Sequence, residues 1–134
     1  MELVLIDSSV WIDFYHPERA QDLKSAVREA IELDIVAING IIAMEVLQGT
    51  ANDFGFKKVL ADMRAFNNLT VDWNIFMQAA RLSFDLRRQG ITIPTIDSLI
   101  AATAIENKCV LWHQDYHYEL IAKKAPLKTR NFLL

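Results

Sequence analysis

The chain has 134 residues, of which 52% are hydrophobic and 23% are charged. This length and composition predict one folded globular domain over residues 1–134 and exclude a disordered chain. The formal net charge of −3 excludes nucleic-acid binding through bulk positive charge, but it allows a nucleic-acid enzyme with an acidic site. The single cysteine, Cys109, excludes an internal disulfide and is typical of a reducing, cytoplasmic environment.

Membrane and targeting segments are not expected in this chain. The N-terminus carries the acidic residue Glu2 in place of a basic leader region. No apolar run approaches the roughly 18 residues that a membrane-spanning helix needs. We therefore expect a cytoplasmic protein that does not contact a membrane.

Short apolar runs alternate with longer amphipathic segments along the chain. The runs predict four strands that are covered on both faces, at residues 3–6, 35–38, 69–71 and 109–112. Apolar residues with helical spacing predict helices within residues 20–31, 39–49, 56–66, 76–86 and 95–107. This alternation predicts a three-layer α/β/α domain with a mostly parallel central sheet.

Four carboxylates interrupt or closely follow apolar stretches, where an unpaired charge is costly. They are Asp7, Glu45, Asp97 and Asp115, and no Lys or Arg lies within five positions of the first three. The partner that best satisfies several converging carboxylates is a hard divalent cation such as Mg²⁺ or Mn²⁺. The sequence therefore predicts a metal site.

The predicted topology brings these acids to one edge of the sheet. Asp7 ends the first strand, and Asp115 follows the late strand closely. Glu45 lies in the helix after the second strand, and Asp97 lies in the first turn of its helix. Because ligands bind outside the carboxyl ends of parallel strands, we expect one shared pocket. Three of these acids also have a structural interpretation, Asp97 as a helix N-cap and Asp7 and Asp115 as turn residues. Glu45 is the hardest to explain in this way, because its helix is apolar on nearly every other side.

Hydroxyl and amide side chains beside these acids have two interpretations. Ser8 and Ser9 directly follow Asp7, where they would orient a carboxylate or cap the next short helix. Asn39 would orient Glu45 or cap its helix, and the cap is the favoured interpretation.

The last part of the chain is basic. After Glu119 it contains no acid, and its cations are Lys123, Lys124, Lys128 and Arg130. This stretch is interpreted either as a solvated tail or as a contact surface for phosphate groups.

The four acids and their neighbours resemble the motifs of the PIN-domain nucleases, and particularly of the VapC toxins of type II toxin–antitoxin modules. The resemblance is carried by LIDSSVWID at residues 5–13, AMEVLQG at 43–49, TIDSLIAATA at 95–104 and WHQDYHY at 112–118. It extends over essentially the whole chain. The sequence departs from the pattern at His117, where many relatives have another acid, often followed by Phe in place of Tyr118.

The resemblance implies a metal-dependent endoribonuclease that hydrolyses RNA with an activated water. Its catalytic and metal-binding residues would be Asp7, Glu45, Asp97 and Asp115, with Mg²⁺ or Mn²⁺ as the cofactor. Ser8, Ser9 and His113 would support these acids, and His117 is left open as a metal ligand or proton shuttle. The resemblance also implies a PIN-like fold, a cognate antitoxin and an RNA substrate that is structured or has a single-stranded loop, such as tRNA.

A homodimer is implied as well, with two acidic sites in a shared groove. Basic residues along the rim of this groove would contact RNA. The candidates are Arg81, Arg87, Arg88, Lys123, Lys124 and Arg130. The main alternative is a housekeeping PIN-domain nuclease in RNA processing. A protein-binding module with a vestigial site is less favoured, since all four acids are present. A haloacid-dehalogenase-like phosphatase is disfavoured because Ser9 stands where its second Asp is needed.

Overall fold

A central sheet of five parallel strands organises the structure, a computed structural model that describes residues 2–133. The strands within this described part are β1 (Val4–Ile6), β2 (Val36–Ile38), β3 (Asn67–Asn68), β4 (Val110–His113) and β5 (Lys128–Asn131). They lie side by side in the sheet in the order β3-β2-β1-β4-β5. Between them lie the helices α1 (Ser8–Tyr15), α2 (Gln21–Glu32), α3 (Gly40–Gln48), α4 (Asp53–Ala65), α5 (Trp73–Arg88), α6 (Thr95–Asn107) and α7 (Tyr116–Ala122). The predicted α/β fold with a mostly parallel sheet is confirmed. Within residues 2–133, no helix has both the length and the apolarity to cross a membrane.

The core is built around β1 and the buried helix α6. All three residues of β1 are buried, and the strand pairs with β2 on one side and β4 on the other. Every residue of α6 from Asp97 to Ala104 is buried, and its small side chains Ala101, Ala102 and Ala104 allow close packing. A carboxylate at the start of this helix is therefore held inside the protein.

One sequence prediction about the sheet is wrong. The strand predicted at residues 69–71 lies instead at Asn67 and Asn68, because these residues pair with Ala37 and Ile38 of β2. The amide of Asn67 secures this register by donating to the carbonyl of Val36 over 2.9 Å. The apolar run that follows packs against the core beyond the strand.

Of the two interpretations of the basic C-terminal stretch, a solvated tail does not hold for its end, because Lys128–Asn131 forms the edge strand β5. Lys128 pairs with Val110 of β4, and Asn131 pairs with His113. The Lys128 ammonium lies 2.9 Å from the Glu2 carboxylate in an exposed ion pair. Part of the positive charge of this segment is therefore neutralised within the chain.

Cys109 is a buried thiol. Burial raises its pKa to about 11, and the charge of Glu2 adds to this effect. Because a thiolate is the reactive form of cysteine, burial and the raised pKa disfavour a nucleophilic role for this residue.

Asn39 connects the two helices that carry Glu45 and Asp97. Its Oδ1 accepts from the backbone N–H of Ile42 over 2.9 Å and caps α3, as favoured from the sequence. Its Nδ2 donates to the hydroxyl of Thr103 in α6 over 3.2 Å, and the side chain is fully buried. One amide thus holds α3 and α6 together.

Replacing Asn39 by Ala should lower the free energy of unfolding by about 2 kcal/mol, because it removes a helix cap and a buried hydrogen bond. Urea unfolding measures the change. The matched control is Asn52→Ala, which removes the exposed cap of α4 and should cost about 1 kcal/mol or less. Equal losses in the two variants would show that the contact with Thr103 adds no stability.

Candidate functional site

Asp7 and Asp115 lie where strands end and helices begin. Asp7 follows β1 and caps α1, and its N–H donates to the carbonyl of Trp112 in β4 over 3.0 Å. Asp115 follows β4 and caps α7 by accepting from the N–H of His117 over 3.0 Å. The helix N-termini favour these negative charges, and the caps fix the direction of both carboxylates.

Glu45 and Asp97 reach this edge from within helices. Glu45 lies half-buried in α3, where its Oε1 accepts from the Ser8 hydroxyl over 3.1 Å. Asp97 lies in the first turn of α6, which has Pro94 as its N-cap, so Asp97 is not the capping residue. It is 9% exposed. The interpretation of Asp97 as the N-cap of its helix is therefore wrong.

Asp7 is held from two sides. It is 4% exposed, and its Oδ1 accepts from the hydroxyl of the buried Tyr118 over 2.9 Å. Its Oδ2 accepts from the hydroxyl of Ser9 over 2.5 Å. The role of Tyr118 was missed from the sequence, although its place one helical turn after Asp115 signals that it points back to the same edge.

Gln114 secures Ser9. Its backbone N–H donates to the Ser9 hydroxyl over 3.0 Å, and its side-chain amide donates to the Ser9 carbonyl over 3.1 Å. The same amide donates to Asp13 over 2.8 Å, so Asp13 is part of this frame. Both serines thus contact candidate acids, Ser8 through Glu45 and Ser9 through Asp7.

His113 supports Asp115 through the backbone. It is fully buried, and its Nδ1 accepts from the N–H of Asp115 over 3.1 Å. This acceptance assigns the proton to Nε2, which lies 2.6 Å from Oε2 of Glu119. Burial raises the pKa of Glu119, but hydrogen bonds from Thr129 and His113 outweigh it and lower the pKa overall.

Asp97, Asp115 and His117 form a tight cluster. One donor atom from each residue can be chosen so that all three lie within 4.8 Å of one another. Nδ1 of His117 lies 2.8 Å from Oδ1 of Asp115 and 3.3 Å from Oδ2 of Asp97. The structure thus brings His117, which the sequence left open, directly to the acids.

The acids perturb one another strongly. Burial raises the pKa of Asp97 to about 8, and the neighbouring carboxylates of Asp115, Asp7 and Glu45 contribute to the rise. Burial also raises the pKa of Glu45, helped by the charge of Asp7 and opposed by the Ser8 hydrogen bond. The pKa of Asp115 is lowered despite burial, because the backbone N–H of His117, contact with Asp97 and the nearby His117 ring favour its charged form.

These features fit a divalent cation. Oδ2 of Asp97 is buried and has no hydrogen-bond partner among residues 2–133. Carboxylate oxygens are the ligands that Mg²⁺ and Mn²⁺ prefer, and a cation would relieve the repulsion that raises the pKa of Asp97. The donor set can therefore hold such an ion.

The basic candidates differ in their surroundings. Arg87 is exposed at the end of α5 and lines a groove with Thr95 and Ser98, which flank the first turn of α6. Lys123 and Lys124 are exposed just after α7 and form no ion pair within the described residues.

The other three basic candidates have intramolecular contacts. Arg81 forms an ion pair with Asp85 at 3.2 Å, and Arg81 and Arg88 both lie over the ring of Phe84. Arg130 lies over the rings of Trp112 and Phe132, at 4.8 and 4.6 Å from their centroids. Stacked guanidinium groups still expose hydrogen-bond donors, so these contacts leave a phosphate contact open.

Without a divalent cation, the free energy of unfolding should fall as the pH rises from about 4 to about 8. The folded state keeps a proton on Asp97 that the unfolded chain releases near the ordinary pKa of 3.8, so rising pH favours unfolding. Asp97→Asn should remove this contribution and be more stable than the wild type at pH 8, by on the order of a few kcal/mol.

Urea unfolding in chelator across this pH range measures the effect. Asp53→Asn, an exposed acid in the first turn of α4, is the control and should follow the wild-type profile. Parallel profiles for the wild type and Asp97→Asn would contradict the assigned repulsion.

Comparison with known proteins gives consistent matches over the whole fold. The model of the PIN domain family matches residues 4–124. Ribonuclease VapC11 of Mycobacterium tuberculosis is 30% identical over 135 residues, covering 97% of this chain and 99% of the relative. Ribonuclease VapC1 of Methanocaldococcus jannaschii is 26% identical, covering 87% of this chain and 79% of the relative.

Solved structures share the fold at lower identity. VapBC2 from Rickettsia felis, bound to a promoter DNA fragment, matches with a TM-score of 0.78 at 14% identity, over 97% of this chain and 98% of that one. FitAcB from Neisseria gonorrhoeae matches with a TM-score of 0.78 at 20% identity, over 96% of this chain and 97% of that one.

Proposed function

The chain belongs to the PIN-domain family, and we propose that it is a metal-dependent endoribonuclease that acts as the toxin of a type II toxin–antitoxin pair. One observation carries the proposal: Asp97 is buried under the combined charge of Asp115, Asp7 and Glu45, with one oxygen unpaired. Relatives named VapC ribonucleases, matched over nearly their full length, support the toxin over a housekeeping nuclease.

Asp7, Glu45, Asp97 and Asp115 are the proposed catalytic residues, and they would hold one or two Mg²⁺ or Mn²⁺ ions. When bound, such a cation neutralises charge on the phosphate and lowers the pKa of water for attack. Hydrolysis by water would leave 5′-phosphate and 3′-hydroxyl ends on the RNA.

The surrounding residues hold the acids for this reaction. Tyr118 and Ser9 fix the two oxygens of Asp7, and Ser8 fixes Glu45. His113 holds the backbone at Asp115 through its N–H. Oδ2 of Asp97 has no hydrogen-bond partner among residues 2–133 and is therefore open to a cation. Such a frame limits the reorganisation needed during the reaction.

RNA with a structured or single-stranded loop, such as tRNA, is the proposed substrate. Arg87 is the best-placed phosphate contact, because its groove borders the first turn of the helix that carries Asp97. Lys123 and Lys124 are exposed and support the same role, while Arg88 and Arg130 would contact phosphate from their stacked positions. RNA affinity would then fall steeply with salt concentration.

Two protein contacts complete the proposal. An apolar groove of about 520 Å³, lined in part by Ile12, Tyr15, Val46 and Glu45, supports docking of a cognate antitoxin beside the acids. Exposed aromatic residues on α5 support a homodimer, with Trp73 at 76% exposure. Both contacts would form in the cytoplasm.

Asp7→Asn and Asp97→Asn should each abolish RNA cleavage while the fold is kept, because each removes a negative charge from the proposed site. The measurement is sequencing of RNA 5′ ends after induction of each variant, with purified protein assayed in chelator and after addition of Mg²⁺ or Mn²⁺. Asp53→Asn is the control and should cut like the wild type. Near wild-type cleavage by either site variant, or full cleavage in chelator, would refute the proposal.

Tyr118→Phe should lower the cleavage rate about tenfold or more, because Asp7 loses the hydrogen bond that orients it. Tyr15→Phe is a matched control, since it removes a tyrosine hydrogen bond to an acid outside the site, Asp62 at 2.8 Å. Cleavage rates and urea unfolding of both variants separate orientation from stability. If both variants lose cleavage only in proportion to lost stability, Tyr118 is merely structural.

A further inference from the structure

Two buried polar atoms without a hydrogen-bond partner face each other in the cluster. They are Oδ2 of Asp97 and Nδ1 of His117, which lie 3.3 Å apart. Buried polar atoms in folded proteins nearly always have a partner, so an orphaned pair at one place calls for an explanation. A single cation bound beside Oδ2 of Asp97 and Nδ1 of His117 would contact both atoms.

The approach of His117 to the carboxylates is not that of a hydrogen-bond donor. Nδ1 lies at ion-pair distance from both carboxylates, 2.8 Å from Oδ1 of Asp115 and 3.3 Å from Oδ2 of Asp97, yet the geometry of a hydrogen bond is met with neither. A donated ring proton points along its N–H bond at one acceptor. A nitrogen lone pair that shares a cation with both carboxylates needs no such alignment.

The spacing of the three donor atoms also fits a shared ion. Adjacent ligands at right angles around an ion bonded at about 2.1 Å lie about 3.0 Å from each other. The distances of 2.8 and 3.3 Å from Nδ1 to the two carboxylate oxygens lie on either side of this value. One donor atom from each of Asp97, Asp115 and His117 can be chosen so that all three atoms lie within 4.8 Å of one another.

We propose that Nδ1 of His117 is a ligand of the catalytic cation, beside Asp97 and Asp115, and that it shifts the site from Mg²⁺ toward Mn²⁺. This inference rests on the proposed nuclease site, and it specifies which ion that site prefers. Imidazole nitrogen suits first-row transition-metal ions, whereas Mg²⁺ is held by oxygen ligands and water. An acid at this position would give an all-oxygen site instead.

The test compares Mn²⁺ and Mg²⁺ binding to the metal-free wild type and to His117→Asn, which replaces the nitrogen donor with a neutral oxygen donor. Calorimetric titration should show that the ratio of the Mg²⁺ to the Mn²⁺ dissociation constant falls about tenfold or more in the variant. Pulsed electron paramagnetic resonance of the bound Mn²⁺ should show a nitrogen coupling in the wild type that the variant loses. His16→Asn, outside the cluster, should keep both properties.

The outcomes are distinct. An unchanged affinity ratio, a nitrogen coupling that persists in His117→Asn, or a wild type that binds neither cation overturns the inference. If His117→Asn does not fold by circular dichroism, His117→Asp carries the same two measurements. RNA cleavage by the wild type is assayed in parallel. Cation binding with the expected coupling but no cleavage would support the ligand role while refuting the nuclease.

Discussion

Repulsion among buried carboxylates is the constraint on which this site depends. Asp7 and Asp97 are both buried, and the charges of Asp115 and Glu45 also act on Asp97. A cluster of this kind is unstable alone, since each added negative charge makes ionisation of the next more costly. The arrangement persists because helix N-termini, hydroxyl donors and a central sheet oppose the repulsion, and because a cation can neutralise it.

The opposing contacts come from every part of the chain. Ser9 and Tyr118, which bind the two oxygens of Asp7, lie more than one hundred positions apart in sequence. Gln114 ties the first helix to the loop after β4, and Asn39 ties α3 to α6. The four acids thus share one rigid frame. Their relative positions are set by strand register and helix packing, more than by contacts among the acids themselves.

Local sequence signals predict the fold and the acids well, but they do not predict contacts between distant side chains. The runs at β1, β2 and β4 are continuous and apolar because these strands are buried, so the sequence predicts them as strands. The polar pair Asn67–Asn68 carries no such signal, and strand pairing alone identifies it. Likewise, Asp97 stands out because it interrupts an apolar segment. His117 and Tyr118 become meaningful only when α7 packs against α6 and the Tyr118 hydroxyl reaches Asp7.

The edge strand β5 has a consequence for the time at which the site is completed. Thr129 of this strand binds Glu119, which binds His113, which in turn holds the backbone of Asp115. The carbonyl of His113 also accepts from the N–H of Phe132 over 2.9 Å. During synthesis, a chain that has passed Asp115 already contains all four acids, but it lacks this support. The support of Asp115 is therefore complete only after β5 and Phe132 have been synthesised and have joined the sheet.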